Sequence, residues 1–207
     1  MSGNHMMHPL LLSLANIASD IRSKGPLHAH LLLALLPVPS FIHKKSRIHS
    51  LLSDQLFHHC LDLILTPLKI AAAVSIIMND PLGNLWYCYM PLVGYSADTP
   101  EQCLLSCTSP RSSPMLIATY NQFGYDEHYD SWTAEHTLWA ITTLCSQVDP
   151  DDFNTFLKIA KSYRLNSVHK PFWRDWPILC ALSFSTLGRV LPSCSTLFPP
   201  LWAWLPL

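Results

Sequence analysis

The sequence predicts a mixed α/β fold. Three observations carry this: two strand-length apolar runs near the start, one long segment with helical apolar spacing, and an aromatic segment of strand chemistry emerging from a dense turn cluster. At 207 residues, 49% hydrophobic and 13% charged, the chain is long enough for one globular core and too apolar to be intrinsically disordered.

Residues 9–17 and 28–38 are leucine-rich runs, the second closed by Pro37 and Pro39, and each suits a strand or a helix. Lys24-Gly25-Pro26 between them reads as a turn. Over 47–65 the apolar Ile48, Leu51, Leu52, Leu56, Cys60, Leu63 and Ile64 recur at three- and four-residue spacings. Ser53, Asp54, His58 and Asp62 take the other faces, so this segment predicts an amphipathic helix that Pro67 ends or kinks. Residues 71–78, strand or helix, enter the turn cluster Asn79-Asp80-Pro81-Leu82-Gly83-Asn84. The segment 85–90 leaves it with strand chemistry, giving a hairpin or a helix-to-strand turn. Thr99 can cap a helix that has Pro100 at its first position and Gln102 completing a capping box, which places Asp98 at a strand-to-helix junction. A helix over 133–147 sets Leu138, Ile141 and Cys145 on one face, and the acidic residues of 149–152 start another running to about residue 163.

The net charge of −1 supplies no general basic field, so any nucleic-acid contact must be local. Seven scattered cysteines, an odd number in a chain that needs no stapling, read as reduced thiols. The first 20 residues lack the basic region and cleavage pattern of a signal peptide. No run reaches the roughly 20 apolar residues of a membrane span without a proline or a charge, so no membrane partner is expected. No small-molecule substrate is evident.

Three groups of residues invite a chemical reading. Asp98 and Glu101, one helical turn apart at the mouth of a strand, occupy a place where phosphoryl-transfer enzymes hold Mg²⁺, although spacing alone favours a helix cap. Cys103 and Cys107 are four apart, but zinc needs four ligands and no second pair follows, which favours buried free thiols. Lys158, Lys161, Arg164, Lys170 and Arg174 alternate with Tyr163, Phe172, Trp173 and Trp176, a mixture that could meet phosphates and stack on bases. Asp151, Asp152 and Asp175 dilute that patch, which favours an ordinary solvated face. His58 and His59, with no partner pattern, belong to surface or core.

Five segments, HPLLLSLANIASDIR, HAHLLLALLPVP, LFHHCLDLILTPLKIAA, MNDPLGNLWYCYMPLVGYSADTPEQ and AKSYRLNSVHKPFWRDWP, occur in this order between residues 7 and 177. Through them the chain resembles the Plavaka proteins of basidiomycete transposons, relatives of the Kyakuja-Dileera-Zisupton transposases. The resemblance implies a ribonuclease-H-like mixed sheet with flanking helices, in which three acids bind two Mg²⁺ ions for DNA strand cleavage and transfer. It makes Asp98 the candidate for the second acid and a metal ligand, DNA the partner, and the nucleus the location. By the same resemblance the first acid is expected before Met1 and the remaining one in a segment that residues 177–207 replace. The expectation is therefore an incomplete transposase core over 1–176, catalytically inactive alone, followed by an unstructured apolar tail. The alternative is a retained nucleic-acid- or protein-binding module that does no catalysis.

Overall fold

A computed structural model describes residues 6–39, 41, 46–176 and 179–185. The two leucine-rich runs are strands: β1 (Met7–Ser13) and β2 (His30–Pro37) pair antiparallel, with a register shift between Leu10 and Leu11. Prolines at 9, 37 and 39 disfavour helix here. The link between the strands holds the short helix α1 (Ser19–Arg22) and a 3₁₀ turn at Gly25–Leu27, where the turn was expected. Leu10 and Leu36 are buried, whereas Met7, Leu11, Leu31 and Leu35 stay exposed.

The predicted helix extends well beyond 65, as α2 (Ser46–Val74), and Pro67 lies inside it. Proline removes the N–H that the Leu63 carbonyl would receive. Leu63 and Pro67 are both on the exposed side, so water can replace the missing bond. Leu63, expected on the apolar face, is 63% exposed. The buried side is instead Ile48, Leu51, His58, Leu61, Leu65 and Ala72. By length and composition alone the stretch Ile48–Val74 could cross a membrane, but it carries Asp54, Asp62 and Lys69 and contributes one face to the core.

Ser75, at φ 68°, turns the chain out of α2 into β3 (Ile76–Asn79), which pairs antiparallel with β4 (Leu85–Cys88). Of the two alternatives for the 79–84 cluster the hairpin holds, and residues 71–78 divide between the end of α2 and β3. The Asp80 carboxylate secures the hairpin turn, accepting from the Asn84 side chain at 2.8 Å, the Trp86 indole at 3.0 Å, and the Asn84 and Leu82 amides. These bonds hold its carboxyl down at about 2.

β5 (Leu92–Ser96) leads to α3 (Thr99–Leu105), and α4 (Ala134–Gln147) and α5 (Phe153–Ala160) follow near their predicted positions. Thr133 and Asp152 cap the last two, each accepting from a backbone N–H three residues on. β5 pairs in parallel with β6 (Leu179–Ser185), so seven residues of the segment expected to be unstructured form a strand. Residues 186–207 lie outside the described residues. The expected single mixed sheet is present as three two-stranded sheets, because among the described residues no strand joins β1 to β5.

Two helix ends meet at the centre of the molecule. Past α3 the Thr108 N–H bonds Cys103 O and the Cys107 N–H bonds Leu104 O. Past α5 the Leu165 N–H bonds Ala160 O and the Arg164 N–H bonds Lys161 O. Each is a Schellman ending whose left-handed position, usually glycine, holds Cys107 (φ 60°) or Arg164 (φ 60°). The two endings pair with each other through Ser109 N–H to Arg164 O, Asn166 N–H to Cys107 O and the bridge Thr108↔Leu165.

His58, fully buried, locks α2 onto this centre. Its Nδ1 accepts the Phe172 N–H at 3.2 Å, so that nitrogen carries no proton. Nε2 therefore holds the proton and donates to Leu104 O at 3.0 Å. Burial pushes the imidazole pKa down to about 4, against smaller opposing effects of the Leu104 bond and Asp62. Between the native value of about 4 and the ordinary 6.5, the unfolded chain binds a proton that the native state refuses. The stability His58 contributes is thus complete above pH 6.5 and lost as pH falls towards 4. Burial acts oppositely on the Asp54 carboxyl, raised to about 6, so the histidine must be isolated by difference. His58→Ala is expected to cost about 4 kcal/mol at neutral pH, since it leaves a cavity and takes away the acceptor of the buried Phe172 N–H. In urea unfolding, the gap between wild type and variant should shrink by about 3 kcal/mol from pH 6.5 to pH 4. A gap independent of pH would refute the neutral buried histidine.

Candidate functional site

The sequence reading centres on the junction between β5 and α3. Asp98 leaves the strand in an extended conformation, and its carboxylate accepts the Glu101 N–H at 3.0 Å. Asp98 is therefore the helix cap, one residue before the expected Thr99. Pro100 still falls in the first turn, where its missing N–H costs nothing. Gln102 forms no capping box; its buried amide donates to Ala97 O at 2.8 Å.

Glu101 is half-buried and accepts the Tyr95 hydroxyl at 3.3 Å. Burial raises the Glu101 pKa, helped by the charge of Asp98 and opposed by the Tyr95 bond and His8. Burial and the neighbouring Glu101 likewise push the Tyr95 phenol up. The corner thus joins Tyr95, Asp98 and Glu101 on one connection, with His8 of β1 near enough to act on Glu101. Mg²⁺ needs several oxygen ligands in near-octahedral array. Among the described residues no group of three or more His, Cys, Asp or Glu is placed to hold a metal ion. One carboxylate spent on a cap and one bonded to a phenol do not fit a two-ion centre.

The five basic residues divide by role. Arg174 bonds Asp62 at 2.9 Å and lies 4.0 Å from Asp175; Lys69 bridges the same two carboxylates. Burial alone would raise the Asp62 pKa, but bonds from Lys69 and Arg174 hold it below its ordinary value. Arg164 is half-buried at its left-handed position, with Nη1 lacking a hydrogen-bond partner among the described residues. Lys158, Lys161 and Lys170 are exposed and make no ion pair among the described residues. Lys161 also borders a cleft with Asp54, Ser109, Asn166 and Ser167.

The interleaved aromatics do not support base stacking. Phe172, Trp173 and Trp176 are buried, and the half-buried Tyr163 hydroxyl accepts from Gln147 at 3.0 Å. Cys103 and Cys107 are buried free thiols, and burial raises both pKa values, so neither is a poised thiolate. Sequence reasoning missed the His58 anchor and the Asp62–Lys69–Asp175–Arg174 network. Asp62 and Lys69 stand seven apart, two helical turns, which is the one local signal that could have suggested them.

The model of the Plavaka transposase family matches residues 1–187, farther than the five segments noted above. No curated protein and no solved structure matches the chain.

Removing the cap tests what Asp98 does. Asp98→Ala should destabilise the fold by about 1 kcal/mol in chemical denaturation, while Asp98→Asn, which still caps, should lose far less. Equal losses for the two variants would exclude the cap role.

Proposed function

The chain belongs to the Plavaka transposase family, and on that premise we propose that it is a transposase-derived nuclear protein of fungal transposon origin that engages DNA without cleaving it alone. The family match over residues 1–187 carries this reading. A ribonuclease-H-like core is supported by the order of an antiparallel strand pair, a long helix, and a strand leading into the Asp98 junction. In the intact family Asp98 would be the second acid, and Mg²⁺ would supply charge stabilisation for strand cleavage and transfer. Among the described residues no third metal-ligating side chain joins Asp98 and Glu101, so we read Asp98 as a vestigial ligand.

A second reading, a binding module without catalysis, is favoured by the exposure of Lys158, Lys161 and Lys170 beside the centre where α5 ends. Both readings place DNA on these lysines, with Arg164 half-buried and Arg174 largely spent on Asp62.

Anisotropy of a labelled DNA duplex titrated with the full chain tests the contact. Binding should weaken with salt, and the triple variant Lys158→Ala/Lys161→Ala/Lys170→Ala should flatten the log–log salt slope by about two to three. The same duplex should stay intact in millimolar Mg²⁺. Nicking abolished by Asp98→Ala would overturn the inactive reading, and a salt slope unchanged in the triple variant would overturn the proposed surface.

A further inference from the structure

We propose that the loop between Met115 and Trp132, continued onto the first turns of α4, is a docking surface for an extended lysine- or arginine-rich segment of a partner protein. Two independent features point there. The first is a set of exposed aromatic rings held in place. Ile117 N–H bonds Asp130 O at 2.7 Å, Trp132 N–H bonds Met115 O at 2.9 Å, and Leu116 bridges Ser131. These bonds close the ends of the loop, and residues 119–129 between them form one surface loop. Within it the Tyr120 N–H bonds Arg111 O at 3.0 Å, and Thr119 and Gln122 bond each other reciprocally.

On this fixed backbone Tyr120 is 70%, Tyr125 66% and Phe123 49% exposed, with the Tyr120 and Phe123 ring centres 6.0 Å apart. From the loop's stem the rings of Trp132, His136 and Trp139 follow at 5.1 and 6.1 Å, and Trp139 is 61% exposed. Rings this exposed on a constrained backbone mark a contact surface.

The second feature is charge. From residue 112 to 157 the chain contains no lysine or arginine and carries seven acids, of which Asp126, Glu127, Asp130 and Glu135 lie on the loop or at the start of α4. Arg111, at the loop's base, is the nearest cation in sequence. A nucleic acid would find rings to stack on, but its phosphates would meet carboxylates. A cationic peptide gains twice, from carboxylates that pair with it and from ring faces that attract lysine and especially arginine. This charge complementarity selects the occupant.

Anisotropy of a fluorescein-labelled alternating Lys-Arg peptide, titrated with the full chain, tests the proposal. A labelled oligoglutamate and a labelled oligothymidine serve as comparisons, and unfolding temperatures verify that each variant folds. The basic peptide should bind and oligoglutamate should not. Tyr120→Ala/Tyr125→Ala should weaken peptide binding by about tenfold at unchanged net charge, and Tyr120→Phe/Tyr125→Phe should restore it. Asp126→Asn/Glu127→Gln should weaken binding and reduce its salt dependence. Equal affinity in the alanine variant would overturn the proposal. So would oligothymidine binding that the alanine variant loses, which would make the surface a single-strand platform. Self-association lost in the same variant would also overturn it, by making the occupant a second copy.

Discussion

The fold depends on one imidazole that has no freedom left. His58 donates from Nε2 to the Leu104 carbonyl near the end of α3 and accepts the Phe172 N–H at Nδ1, so α2, α3 and the 166–176 segment are fixed at hydrogen-bond distance from a single ring. The last carbonyls of a helix have no intrahelical partner. Here those of α3 are met from far along the chain: Leu104 O by His58 and by the Asn166 side chain at 3.2 Å, Leu105 O by the Trp173 indole at 2.7 Å. A buried polar group with both ring nitrogens satisfied specifies the packing around it, because moving the ring would leave its own polar atoms unpaired in the interior.

Around that ring the two Schellman endings explain why Cys107 and Arg164 adopt a conformation most side chains avoid. A left-handed residue costs about 1–2 kcal/mol, and the mutual bonds between the two turns offset it. Arg164 is held by this architecture, which draws it partly out of the solvent a DNA-contacting residue needs. Arg174 is similarly engaged. With Lys69, Asp62 and Asp175 it ties α2 to the final described loop, and the Lys69 ammonium also sits 6.0 Å from the Trp176 ring. Of the five basic positions, three lysines are both exposed and outside any ion pair among the described residues.

The same competition governs the acidic corner. Asp98 stabilises the start of α3 through the Glu101 amide, and Glu101 is turned to Tyr95. In this chain both groups act on the fold itself. Membership of a transposase family gives the corner its interest, while its geometry gives it a structural role.

Local patterns determined much of this protein. The turn cluster at 79–84, the Thr133 and Asp152 caps, the helical spacing from 47 onward and the β5-to-α3 junction all depend on contacts within a few residues, and these are legible one residue at a time. The family was legible for the same reason, through five short segments in order. The tertiary structure decided what depends on residues far apart. The leucine-rich runs became strands because they could pair with each other. Pro67 was tolerated because its side of α2 faces solvent, and Leu61 and Leu65 displaced Leu63 from the core because the neighbours of α2 lie on their side. His58, unremarkable in its own segment, became the anchor because Leu104 and Phe172, 46 and 114 residues away, arrive on opposite sides of its ring. Burial of Trp173 and exposure of Tyr120 follow the same rule: composition supplies the aromatic ring, and only the packing of distant segments decides whether water or protein covers it.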